Sequence, residues 1–155
     1  MNTGLFFDVE GTGIPDYKQP SDAETQPHIV QLAAAVVDLD RSPRHHGTIL
    51  QSMDVIVRPE GWEIPEEVTE IHGISQDYAL EMGIPESLAV EMLLELWQDR
   101  LRIAHNQGYD QKMVRCALKR YMTDAKADEW KAGEKICTAQ RARPILNLPP
   151  SDAMR

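Results

Sequence analysis

The sequence predicts an α/β domain whose sheet opens with an antiparallel three-strand meander, and three observations carry that prediction. The chain begins on a short apolar strand, residues 4–13 (GLFFDVEGTG), which breaks at a glycine-rich turn. Two further runs rich in β-branched residues, 28–40 (HIVQLAAAVVDLD) and 48–59 (TILQSMDVIVRP), follow with only a short turn between them. Strands joined so closely usually pair antiparallel. From residue 84 onward the apolar spacing becomes helical, so helices are expected to cover the sheet.

In the first strand the side chains alternate, so Phe6, Asp8 and Glu10 point one way while Leu5, Phe7 and Val9 point the other. Asp8 and Glu10 then stand roughly 6–7 Å apart on one face. In a dry site two such acids repel, and a divalent cation between them removes the conflict. Hard oxygen ligands suit Mg²⁺ or Mn²⁺. A strand with one solvated face explains the same pair. Thr12 and Gly13 add a hydroxyl and an approachable backbone beside the acids, as a phosphate-bearing substrate requires.

Residues 14–27 are rich in proline and polar groups and read as a loop. The turn RSPRHHG, 41–47, holds Arg41, Arg44, His45 and His46 and reads as an exposed basic hairpin tip rather than a metal site. Residues 64–75 predict a short helix with Pro65 in its first turn and Gly73 ending it. His72 then sits at the helix end, where the dipole favours a cation. The clearest helix spans 84–100, with Leu88, Ala89, Met92, Leu93, Leu96 and Trp97 as an apolar stripe opposite Glu91, Glu95 and Gln98.

Residues 101–106 (LRIAHN) return as a buried strand and lead through QGYD into a second amphipathic helix, marked by Met113, Val114, Ala117, Leu118 and Tyr121. Its polar side carries Lys112, Arg115 and Lys119, either a solvated face or a track for a nucleic-acid backbone. Asp110 stands near the helix N-terminus, where a capping role is common. Residues 123–134 read as a polar connection, 135–140 (KICTAQ) as a fifth strand, and 141–155 as an irregular tail.

At 155 residues and 17.5 kDa the chain is expected to form one domain with a real core. Its 42% apolar and 26% charged content is that of a soluble globular protein. No membrane span or secretory signal is read, and a cytoplasmic location with no membrane partner is expected. Cys116 and Cys137 are too few and too far apart for a disulfide framework, so buried reduced thiols are expected. A net charge of −9 argues against a generally basic nucleic-acid-binding surface. It leaves room for an enzyme whose positive charge comes from metal ions.

The motifs in this order resemble those of DEDD-type 3′→5′ exonucleases, specifically the DnaQ-like (DEDDh) branch. FFDVEGTG at 6–13 looks like the family's opening D-x-E-x-T-G, HGI at 72–74 is similar to its contact with the terminal nucleotide, and AHNQGYD at 104–110 resembles its second motif. Cys137 and Thr138 also fall where the family places such a pair. The resemblance implies a ribonuclease H-like fold: a mixed five-stranded sheet, the antiparallel meander plus parallel strands, flanked by helices. Its acids should gather at the ends of the first and fourth strands.

Carried over by position, Asp8, Glu10 and Asp110 become catalytic ligands of two divalent ions, with Asp8 bridging. Thr12, Gly13 and His72 would contact the terminal nucleotide, Ile74 would pack against its base, and Asn106 would brace the second motif. His105 and Asp110 also have the H-x-x-x-x-D spacing of the family's third motif. That assignment is rejected, because the second motif would then have no home. No third motif follows, since the last histidine is His105. The sequence thus departs from the family in its general base and fourth acid, which a truncated chain explains first and a degenerate domain second. The expected function is a Mg²⁺- or Mn²⁺-dependent exonuclease acting on a single-stranded DNA or RNA 3′ end and releasing nucleoside 5′-monophosphates. The rivals are a catalytically dead module that holds nucleic-acid ends or docks on a polymerase or replication complex, and a phosphoesterase of small nucleotides. The sequence leaves DNA versus RNA and the oligomeric state open.

Overall fold

The strand with the two acids lies at the centre of the sheet. In the computed structural model, which describes residues 2–40 and 46–147, the strands are β1 (Thr3–Gly11), β2 (Ile29–Asp38), β3 (Ile49–Ile56), β4 (Leu101–Ala104) and β5 (Lys135–Cys137). They form one sheet in the order β3-β2-β1-β4-β5. β1–β2 and β2–β3 pair antiparallel, while β1–β4 and β4–β5 pair parallel. The mixed sheet is the one expected.

The helices are α1 (Glu66–His72), α2 (Gln76–Met82), α3 (Glu86–Trp97), α4 (Gln107–Tyr121), α5 (Asp124–Ala132) and α6 (Thr138–Leu146). The alternation of β1 sends Leu5, Phe7 and Val9 into the core with Leu32, Ala34 and Val36 of β2. Ala89, Val90, Leu93 and Trp97 of α3 and Met113, Val114, Ala117 and Leu118 of α4 close on them from the same side. Each large side chain buried there contributes roughly 1.5–3 kcal/mol. The opposite face of β1 leaves Phe6 and Asp8 exposed. Among the described residues, no helix is long and apolar enough to cross a membrane.

Gly73 ends α1 in the left-handed region at φ 78°, as its residue type foretold. Three stretches differ from expectation. Residues 123–134 are not a bare connection: Asp124–Ala132 is helical, Thr123 accepts a capping bond from the Lys126 N–H, and Ala127 and Trp130 are buried. Trp130 packs edge-on against Phe7 and Trp97, which gives this polar helix its anchor. Residues 138–146 are helical despite Pro144, so only 148–155 of the expected tail lie outside the described residues. Residues 76–82, unassigned from the sequence, form α2, capped by Ser75. Of the basic hairpin tip, Arg41, Arg44 and His45 lie outside the described residues, and His46 is exposed. Both cysteines are free, Cys116 buried and Cys137 only half-buried.

Candidate active site

Parallel pairing of β1 with β4, in register from Gly4↔Leu101 to Phe6↔Ile103, sets the starts of the two strands side by side. β4 stops at Ala104 while β1 runs on to Gly11. The Val9 N–H therefore has no β4 carbonyl to meet, and the Asp110 Oδ1 takes it at 3.0 Å. Asp110 reaches that position because Asn106, at φ 55° and ψ 43°, turns the chain sharply into α4. Asparagine tolerates this left-handed conformation better than most residues. Its side chain is exposed and makes no capping bond, so Asn106 acts through its backbone. Asp110 is not an N-cap either; it lies in the first turn of α4 and ties the helix to β1.

The electrostatics join the three acids. Burial, then the Asp8 charge, pushes the Asp110 carboxyl up to about 7, against the pull of backbone N–H donors, and Glu10 adds to the rise. Burial and Asp8 also raise Glu10. Tyr109, in the same first turn of α4, is raised by burial and by Glu10 and Asp110. Among the described residues none of these carboxylates forms an ion pair with a basic side chain. Three hard oxygen donors, Asp110 buried, Glu10 half-buried and Asp8 exposed, fit a divalent cation in chemistry. Among the described residues, however, no three His, Cys, Asp or Glu side chains stand close enough to form a metal cage. The acids share a region, and the cage is not closed.

Beside Glu10 opens a cleft of about 110 Å³, lined by Gly13, Ile14, Ile71, His72 and Tyr109 among others. Gly13 and His72, read from the motifs as nucleotide contacts, both line it. Ile74 does not: it is 6% exposed and packs in a small core with Val30, Ile64 and Ala79. Apolar side chains offered to the cleft include Ile14 and Ile71, 83% and 80% exposed, and the half-buried Val68. The reversal at Gly73 separates the two fates, putting Ile71 outside and Ile74 inside. The His72 Nδ1 accepts from the Ile74 N–H at 3.1 Å, so Nε2 carries the hydrogen, and it is buried with no partner. Burial also lowers the His72 pKa, outweighing the helix dipole that would have favoured the cation.

Thr12 is committed to the fold. Its Oγ accepts from the His28 N–H at 3.0 Å, and its own N–H donates to the His28 carbonyl at 2.9 Å. Gly13 has open space where a side chain would stand, whereas a Cβ on Gly11 would collide with Met113 Cε and crowd the Tyr109 hydroxyl. Gly11, which the sequence reading passed over, is the sterically required glycine of the turn. The basic stripe of α4 is likewise used internally. Lys112 donates to the Gln19 carbonyl and the Ser21 hydroxyl, Arg115 to Ser21 and Asp128, and Lys119 pairs with Asp124.

The exonuclease family model of the RNase T type matches residues 5–146. The chain belongs to the RNase T exonuclease family. No curated protein sequence matches it. Among solved structures, E. coli exonuclease I in complex with a 5cy-dA13 oligonucleotide superposes with a TM-score of 0.76 at 18% identity, over 98% of this chain and 31% of that one. The zinc-bound E. coli exonuclease I–single-stranded DNA complex gives 0.75 and 18%, over 97% and 31%. A complex of exonuclease I with the SSB C-terminus gives 0.75 and 17%, over the same shares. This exonuclease domain therefore spans about a third of the exonuclease I chains it resembles, and the likeness establishes the ribonuclease H-like fold.

Proposed function

We propose that this exonuclease domain hydrolyses phosphodiester bonds at the 3′ end of single-stranded nucleic acid, releasing nucleoside 5′-monophosphates with the help of two Mg²⁺ or Mn²⁺ ions. The observation that carries the reading is Asp110. A carboxyl so buried, beside Asp8 and Glu10 and with its pKa pushed up to about 7, is unfavourable unless it serves a positively charged ligand. Asp8, Glu10 and Asp110 would hold the ions. When bound, they supply the positive charge that activates water near neutral pH and that the departing 3′ oxygen requires. Val9 fixes the Asp110 carboxylate through its N–H. Ile14 and Ile71 would flank the terminal base, with His72 beside them in the cleft. DNA is the favoured substrate because the solved relatives include exonuclease I bound to DNA oligonucleotides.

A non-catalytic module that holds nucleic-acid ends, or docks on a replication protein, is the second reading, and the open spacing of the acids favours it. A 5′-labelled oligonucleotide incubated with Mg²⁺, Mn²⁺ or EDTA, beside an Asp8→Ala control, separates the two. A ladder shortening from the 3′ end, abolished in EDTA and in the control, is expected. Tight binding of the oligonucleotide with no shortening in either metal would select the module.

A further inference from the structure

Residues 12–28 leave β1 and return to β2 as a closed loop. Thr12 and His28 bond reciprocally at its neck, and buried Gln26 holds its interior by accepting from the Asp16 N–H and donating to the Asp16 and Pro20 carbonyls. The loop brings Gly13 and Ile14 to the cleft. Three side chains from elsewhere in the protein hold its neck: Glu86, Arg120 and Trp62, whose ring stacks on His28. Glu86, in the first turn of α3, is 2% exposed. Its Oε1 accepts from the Ile29 N–H at 2.8 Å, and its Oε2 lies 2.7 Å from the His28 Nδ1 and 2.9 Å from the Tyr121 hydroxyl.

Arg120 of α4 approaches both Glu86 oxygens at 3.3 Å, and its other terminal nitrogen donates to the Gln26 and Pro27 carbonyls at 3.1 and 3.2 Å. The stretch 26–29 is thus gripped by one carboxylate and the guanidinium beside it. A carboxylate present only to cap α3 would bond the free N–H groups of α3. Every donor recorded on Glu86 comes instead from β2, its approach, or α4.

We propose that Glu86 is a positioning residue for the nucleotide-binding loop. It acts through His28 on Thr12 and so sets where Gly13 and Ile14 stand beside Glu10; this rests on the cleft being the nucleotide site. Glu86→Gln conserves volume but turns an amide NH₂ toward groups that donate. Bonds to a charged acceptor are worth about 1.5–3 kcal/mol, so selective loosening on the order of tenfold or more is expected.

The test is native-state amide hydrogen exchange of the full 155-residue chain, with nucleoside 5′-monophosphate affinity in Mg²⁺ as a second arm. In Glu86→Gln the Thr12 amide should exchange about tenfold faster relative to those of Leu5 and Leu32 in the same sheet. Nucleotide affinity should fall by a similar factor, with Mn²⁺ affinity unchanged because the acids lie off the loop. Arg120→Lys, which keeps the charge but not the two-sided reach, should show a smaller shift of the same kind and serves if Glu86→Gln does not fold. Equal acceleration at Thr12, Leu5 and Leu32 would reduce Glu86 to a general stabiliser and overturn the proposal. So would a loosened loop with unchanged nucleotide affinity. If the wild-type domain binds no nucleotide, the reading of the cleft fails, and the exchange arm still decides whether Glu86 fixes the loop.

Discussion

Asp110 and Glu86 are buried to the same degree, each 2% exposed and each in the first turn of a helix, yet their surroundings are opposite in sign. Glu86 faces a guanidinium, an imidazole, a phenol and a backbone amide. Asp110 faces two other carboxylates and is held by a backbone N–H of the neighbouring strand. Burial alone therefore does not mark an acid as functional. A satisfied buried carboxylate holds the fold together, while a frustrated one stores a demand for positive charge that a ligand can meet.

Replacing the frustrated acid gives the sharpest contrast. Asp110→Asn keeps an oxygen to accept from Val9 but removes the charge, so metal-dependent cleavage should drop by roughly 10³-fold, the scale at which lost charge stabilisation slows a reaction. The melting temperature should hold or rise, since like-charge repulsion is relieved. Full activity in this variant would erase the distinction between the two acids. The reverse pattern is expected at the satisfied one. Glu86→Ala strands Arg120 and His28 and should cost about 3–5 kcal/mol in urea denaturation; a loss below about 0.5 kcal/mol would show the network to be incidental.

A pH scan without divalent ions sharpens the comparison further. Burial and the Asp8 charge push the folded Asp110 carboxyl up to about 7, above the ordinary value of 3.8 expected in the unfolded chain. Between those values the folded state binds more protons than the unfolded one, so this group's contribution is full below about pH 4 and is lost as pH rises toward 7. Stability should decline across that window by an amount on the order of a few kcal/mol, and Asp110→Asn should flatten the decline. Identical pH profiles for the two proteins would contradict the assignment. The smallest effect belongs to the α4 cations. Lys112→Ala should leave oligonucleotide affinity within about twofold, because this lysine is engaged with the loop and not with the phosphate track of a bound strand. A clear loss in a filter-binding titration would restore that track.

The meander, β4 and the two long helices were legible because each buries a regular row of side chains, so spacing reveals the partner face. α5 was not, because only Ala127 and Trp130 anchor it, too few for a helical period to stand out. α6 was masked by Pro144 and its charged residues. In the candidate site, Asp8, Glu10 and Asp110 stand out in the sequence as motif acids on strand and helix ends. The choice between Ile71 and Ile74 was not, since it depends on the left-handed turn at Gly73. Nor could Glu86 be found. Its partners His28, Arg120 and Tyr121 lie 58, 34 and 35 residues away, and no local pattern connects them.

The place of β1 between an early neighbour and a late one has a consequence for synthesis. The first three strands can pair as soon as they leave the ribosome, but the other side of β1 waits for β4, beginning with Leu101 opposite Gly4. Until then a nascent chain carries an open strand edge, the usual template for wrong pairing and aggregation. Asp8 and Glu10 sit on that waiting strand, and their charge discourages another chain from adding to it. Two of the three candidate acids thus belong to the strand that waits, and the helix that carries Asp110 follows β4 in the chain.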